Sequence, residues 1–171
     1  MNNLRRAMIW LSRIGHCRGF GIQSPTDYAF TRYVINEHWP YYAYDQIDSN
    51  DWLRRKQGQL CFRLANWRQP AVIVDRTGQA SFLRAGCRKA RIVQEAETIE
   101  MACLPIDCDY REVLDHCDNR SVLYFQDIWQ QPQQWGDVVA DSRTRITYDL
   151  YYCGIVLCDT QRTKQHYIVN F

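Results

Sequence analysis

The sequence predicts an α/β domain built on a mostly parallel sheet, with an antiparallel hairpin at its C-terminal end. Three observations predict it. Short apolar runs that end in or beside an acid recur after residue 70: Val72-Ile73-Val74-Asp75, Arg91-Ile92-Val93-Gln94-Glu95, and Ser121-Val122-Leu123-Tyr124-Phe125 with Asp127 just beyond. Strands of a parallel sheet are covered by helices on both faces, so they read as continuous apolar runs rather than alternating ones. Helix-like stretches separate these runs, and such alternation packs as helical layers on a sheet. The tail then changes character: residues 145–158 and 166–171 are rich in isoleucine, valine and tyrosine around a polar turn at 160–164. That pattern reads as a hairpin.

Size and composition agree with one domain. A chain of 171 residues fits the ordinary domain length, and folding at that length buries about 70% of the surface exposed by the unfolded chain. Hydrophobic residues are 46% and charged residues 23%, which excludes a disordered chain. The net charge of +2 is too small to select a partner. Lysine stands only at Lys56, Lys89 and Lys164. The other cations are arginines, suited to planar contacts with carboxylate or phosphate. An arginine-rich nucleic-acid-binding module is therefore one reading of the chain. Eight cysteines raise a disulfide scaffold, but no secretory leader is visible. The apolar stretch Ala7–Leu11 is short and flanked by arginines, and it is too short to span a bilayer. The expectation is a cytoplasmic protein with free thiols and no membrane span.

From the start of the chain, Leu4, Ala7, Met8, Leu11 and Ile14 follow helical spacing between arginines, giving a short amphipathic helix packed on the domain. A glycine-rich loop follows at 15–21. Ser24-Pro25 reads as an N-cap with proline at the first helical position, and Tyr28, Phe30, Tyr33 and Val34 continue that helix until Pro40. An aromatic run at Tyr41–Tyr44 leads into a polar segment, Asp45–Asn50. A second helix covers Trp52–Trp67, with Leu53, Leu60, Leu64 and Trp67 on one face and Arg54, Arg55, Lys56 and Arg63 in water. Pro70 ends it. Strand 71–75, a short helix at 81–89 and strand 91–95 follow. Pro105, in the apolar stretch 101–106, suits a strand end or edge. Helix 110–117, strand 121–125 and helix 133–140 complete the core. Residues 1–69 thus form an N-terminal helical region packed on a core of 70–171, as one compact domain.

The two ends of the chain carry a resemblance. Gly15-His16, then Gly19-Phe20-Gly21-Ile22-Gln23-Ser24-Pro25, the Tyr41–Tyr44 run, Phe125-Gln126-Asp127-Ile128-Trp129, and Asp149-Leu150-Tyr151-Tyr152 with Gly154-Ile155-Val156 and 165–171 occur in one order. This order resembles small bacterial class I S-adenosylmethionine-dependent methyltransferases of the O-methyltransferase-like kind, over about half of the chain. The resemblance implies a Rossmann-like methyltransferase sheet. It also implies S-adenosylmethionine as cofactor, held by Asp75 and Gly78 at the first strand end and by Glu95 at the ribose.

The middle departs from the family. Thr77 stands where the first glycine of the cofactor turn belongs, and a β-branched residue resists positive φ, so the loop is expected to take another path. Arg76 adds positive charge beside a cationic sulfonium. Only eleven residues separate Glu95 from Asp107, too few for the helix and strand that family members place there, so one β-α unit is expected to be missing.

Asp107 and Asp127 are expected at the carboxyl edge of the sheet, where ligands of open α/β folds bind. As candidate catalytic residues they offer two carboxylates able to act as base or to hold a divalent cation. Cys103, Cys108, Cys117 and His116 invite a zinc site, but no Cys-x-x-Cys pair supports it, and no metal is assigned. Cys153 and Cys158 should face opposite sides of the sheet. Arg84, Arg88, Lys89 and Arg91 read as a solvated face, and His16 as a structural residue. Trp52, Trp67, Trp129 and Trp135 read as core. The functional expectation is a methyltransferase-like protein with weakened or lost catalysis, open to a small-molecule substrate or a protein partner. An active O-methyltransferase on a small hydroxyl substrate is the alternative.

Overall fold

The structure, a computed structural model, describes residues 3–47 and 51–171. Asp48, Ser49 and Asn50, within the polar segment expected at Asp45–Asn50, lie outside the described residues, as do Met1 and Asn2 at the start of the N-terminal region. The elements are α1 (Asn3–Ser12), α2 (Pro25–Phe30), α3 (Trp52–Arg68), β1 (Val72–Asp75), α4 (Ala80–Gly86), β2 (Arg91–Val93), β3 (Ile99–Pro105), α5 (Tyr110–Asp115), β4 (Cys117–Gln126), α6 (Pro132–Ala140), β5 (Ile146–Asp149), β6 (Cys153–Leu157) and β7 (Gln165–Ile168). Ser24 caps α2 by accepting from the Asp27 amide, with Pro25 at the first turn. The helix then widens into a π-helical turn over Thr31–Ile35. Asp51 and Asp109 cap α3 and α5 through their carboxylates.

All strands join one sheet in the order β2-β1-β3-β4-β6-β5-β7. β2, β1, β3 and β4 run parallel, and β6 is antiparallel to both β4 and β5. The expected α/β class and mostly parallel sheet are therefore present. The tail departs in detail. Residues 145–158, read as one strand, fold back on themselves as the β5–β6 hairpin, and β7 pairs with β5 in parallel. Strand alternation fixes which side chains share a face but not the direction of the partner, so the local pattern left this pairing open.

β3 shows how the sheet divides its core. Met101 and Cys103 point to the layer formed by the π-helical turn, α3 and α4. Ala102 and Leu104 point to the layer of α5 and α6. Cys153 and Cys158 fall on opposite faces, as their spacing predicts. Pro105 ends β3, where its missing N–H costs no ladder bond.

The connection from β2 to β3 is only residues 94–98, with no helix or strand in it. β1 lies between these two strands, so five residues carry the chain across it. His116 Nδ1 pins this link, 3.0 Å from the Glu97 carbonyl oxygen. Between Glu95 and Asp107 the structure holds β3 and no helix.

Two readings of the helices need correction. Arg63, expected in water, is 6% exposed. Its guanidinium donates to the Val34 and Ile35 carbonyls at 2.7 and 3.0 Å. Those are final carbonyls of a helical run, which need outside donors, and α3 passes beside them. The second concerns α1, in which no residue is buried. It is held by polar contacts instead: Arg13 donates to Asp149 Oδ1 at 2.7 Å and to the Asp149 carbonyl at 3.0 Å, and Asn170 Nδ2 donates to the Trp10 carbonyl. The apolar residues Leu4, Met8 and Leu11 remain exposed. Among the described residues, no helix is long and apolar enough to cross a membrane.

Candidate functional site

The carboxyl ends of β1, β2, β3, β4 and β5 line one edge of the sheet. Asp75 closes β1 and is buried. Its Oδ1 accepts from the Thr77 amide at 2.9 Å and from the Thr77 hydroxyl at 2.8 Å. Thr77 therefore folds back on the strand-end acid, and positive φ falls on Gly78, at +74°. Thr77 itself does not adopt positive φ. An atom added at Gly78 Cβ would stand 4.0 Å from an Arg54 guanidinium nitrogen.

Arg76 reaches from the end of β1 to the end of β2, where its Nε donates to the Gln94 carbonyl at 3.2 Å. Glu95 is exposed just beyond. A cleft of about 350 Å³ opens there on the α5 side of the sheet, lined among others by Arg76, Glu95, Glu97, Glu112 and His116. Asp75 and Gly78 do not line it, so the three expected cofactor residues do not converge on this cleft.

Asp107 lies on an exposed turn after β3, and Asp127 follows β4, the neighbouring strand. The two acids thus leave adjacent strand ends, but only Asp127 is built into a network. Its backbone adopts a left-handed conformation, φ 59°, uncommon for a residue other than glycine. Its amide donates to the Tyr152 carbonyl at 2.8 Å, while the buried Gln57 amide donates to Asp127 Oδ1 at 2.9 Å and to the Tyr152 carbonyl at 3.2 Å. Gln57 locks the β4 end to the β5–β6 turn. Among the described residues, no group of three or more His, Cys, Asp or Glu side chains is placed to hold a metal ion. Cys103 and Cys117 belong to opposite faces of the sheet, which dissolves the cysteine–histidine set considered for zinc.

The β5–β6 turn is strained. The Tyr152 amide donates to the Leu150 carbonyl at 2.9 Å around Tyr151, whose φ is 68°. A hydrogen bond across one residue at that φ is the rare form of the three-residue turn. Asp149 Oδ1 steadies it by accepting from the Tyr151 amide at 2.8 Å. The Arg13 guanidinium carbon stands 5.3 Å from the Tyr151 ring centre.

Above this turn, α1 and the start of α3 enclose a pocket of about 320 Å³. Trp52, expected in the core, is one of its walls, with Arg6, Trp10, Lys56, Tyr151 and Phe171 among the rest. The Arg6 guanidinium lies 3.5 Å from the Trp52 ring centre, and the Lys56 ammonium 4.4 Å from that of Phe171. Burial, and the nearby Arg63 and Arg6 charges, bring Lys56 down to about 8. The residue types signalled nothing in sequence because they come from four separated stretches.

Elsewhere, Arg84, Arg88, Lys89 and Arg91 are exposed, as a solvated face requires. Trp135 is buried, whereas Trp67 is half exposed. Comparison with protein-family models, with curated proteins and with solved structures finds no match for this chain.

Proposed function

We propose that the chain is a class I methyltransferase-like domain of the O-methyltransferase kind in which methyl transfer is weakened or lost. The mostly parallel sheet with its antiparallel β5–β6 hairpin supports the scaffold half of this reading. The loss rests on one observation: residues 94–98 carry the chain from β2 to β3 with no helix or strand between. A nucleoside seated beside Glu95 would need a further β-α unit as its second wall.

The residues that remain do not fit a sulfonium nucleoside. The Asp75 carboxylate is engaged by Thr77. Arg76 stretches across the gap between the β1 and β2 ends, and Arg54 stands beside Gly78. Two guanidinium groups around the turn repel a cationic cofactor. Methyl transfer depends on holding donor and acceptor in line, which supplies about 7–11 kcal/mol of barrier reduction. A site without a donor seat forfeits that contribution.

Titration calorimetry with S-adenosylmethionine tests the reading. The expected result is no heat of binding at millimolar cofactor. Binding at micromolar concentration, lost in Asp75→Ala or Glu95→Ala, overturns it in favour of an active enzyme.

A further inference from the structure

We propose that the pocket between α1, the start of α3 and the β5–β6 turn binds a small aromatic anion: a one- or two-ring molecule carrying a carboxylate or a phosphate. This goes beyond the methyltransferase-like reading and stands without it, since none of Asp75, Gly78 and Glu95 lines this pocket.

The charge comes first. Arg6, Arg13 and Lys56 all line the pocket. Arg13 is neutralised by Asp149 at 2.7 Å. Arg6 and Lys56 form no ion pair among the described residues, and the one side-chain hydrogen bond of Arg6 there goes to the neutral Asn3 amide oxygen at 3.1 Å. The two cations are close enough to disfavour each other, and burial disfavours the charge on Lys56 further. A half-buried pair of like charges without a counter-ion is stabilised by an anion that enters between them.

The walls set the shape of that anion. Trp52 presents its ring to both cations, with Arg6 3.5 Å and Lys56 5.4 Å from its centre. Phe171 closes the Lys56 side at 4.4 Å, and Trp10 and Tyr151 complete an aromatic lining. Flat apolar walls favour a flat apolar body, with the anionic group directed to the cations. The volume of about 320 Å³ lies at the small end of ligand pockets, about 300–1,000 Å³, which limits the guest to one or two rings.

The pocket is also anchored. Gln57, the residue after Lys56, ties α3 to Asp127 and Tyr152. Arg13 ties α1 to Asp149 in the same turn. The walls from α1 and α3 therefore share one floor, and a guest contacting both meets a preformed site.

The test uses the tryptophan emission of the whole protein, since Trp10 and Trp52 line the pocket. The probes are 4-hydroxybenzoate and phenyl phosphate, with phenol as the neutral counterpart of both. The expected result is a saturable change with at least one anion, at least about tenfold tighter than with its neutral counterpart. Saturation by 4-hydroxybenzoate alone identifies a carboxylate ligand, and by phenyl phosphate alone a phosphate ligand. Lys56→Met and Arg6→Gln, each checked for native circular dichroism, are expected to weaken the anion by about tenfold or more. The proposal is overturned if neither anion saturates below about 10 mM, if neutral and anionic probes bind alike, or if both variants keep the wild-type affinity. Calorimetry with S-adenosylmethionine reports on the β1–β2 end of the edge, so its outcome and this one are read separately.

Discussion

Lys56→Met is expected to stabilise the protein at neutral pH while weakening its ligand. The lysine falls from its ordinary 10.5 to about 8 chiefly through burial; Cys153 opposes the fall, and the smaller influences of the Arg63 and Arg6 charges add to it. At about 1.4 kcal/mol per tenfold, that gap corresponds to about 3 kcal/mol by which the native state disfavours the charged amine. The Phe171 and Trp52 rings offset some of it, at about 0.5–1 kcal/mol for each cation–ring contact. The net gain expected from methionine at pH 7 is then about 1–2 kcal/mol, or roughly 5 °C in Tm for a chain of this length. The sign has a pH signature. Because the native pKa lies below the unfolded one, the native state binds fewer protons between about 8 and 10.5. Wild-type stability should rise across that window, and the advantage of the variant should fade there. Urea unfolding of both proteins at pH 7 and near pH 10.5 measures this. A variant less stable than wild type at pH 7, or a gain that stays constant with pH, would refute the reasoning.

The remaining predictions concern packing. Asp27 is 1% exposed and accepts from Arg162 at 2.5 Å, Tyr148 at 2.9 Å and Tyr167 at 3.0 Å. Burial alone would raise its carboxyl, but hydrogen bonds from Arg162, Tyr148 and Ser24 outweigh it and hold the pKa below its ordinary value. Its contribution is present above the ordinary carboxylate range and lost as the pH falls through the native pKa. Asp27→Asn should cost about 2–4 kcal/mol at pH 7 in urea unfolding, with the difference shrinking at acid pH. Gly86→Ala drives a methyl to 2.3 Å from the Phe62 backbone carbonyl, where α4 packs on α3, and should cost about 1–3 kcal/mol. Gly136→Ala in α6 meets no atom within 4 Å and should add about 0.5–1 kcal/mol through helix propensity. Thermal melts of the two variants should move in opposite directions.

Much of the fold was legible because its signals are local. The Ser24-Pro25 cap placed the start of α2, helix-like patterning placed α3, α5 and α6, and the apolar runs placed β1, β3 and β4. The helix-free link before β3 was legible by length, since the eleven residues between Glu95 and Asp107 hold a strand but have no room for a helix as well. The failures are all long-range. Arg63 reads as a wet helix face until the Val34 and Ile35 carbonyls arrive from another element to accept its hydrogen bonds. α1 has the pattern of a packed helix, but tight polar contacts of Arg13 and Asn170 fix it with its apolar residues outward. The strand-end acids were placed correctly on the edge, whereas the pocket was invisible, because its walls come from positions 6, 10, 52, 56, 151 and 171.

The energetic character of the two ends of this edge differs, and that difference bears on function. At the β1–β2 end, the groups of the turn after β1 are relaxed. Asp75 is satisfied by Thr77, Arg76 by Gln94, and positive φ sits on a glycine that adopts it freely. At the β4–β6 end, three costs coincide. Asp127 and Tyr151 hold left-handed backbones without being glycine, at about 1–3 kcal/mol each, and Lys56 and Arg6 crowd two cations beside aromatic rings. A scaffold under no demand but folding could shed each of these by one substitution: glycine at 127 or 151, methionine at 56. Strain held by a hydrogen-bonded frame, next to charges that lack a partner, is the arrangement expected of a site organised in advance of its ligand. The edge therefore has a relaxed β1–β2 end and a strained, charged β4–β6 end, and only the second has the character of a site held ready for a ligand.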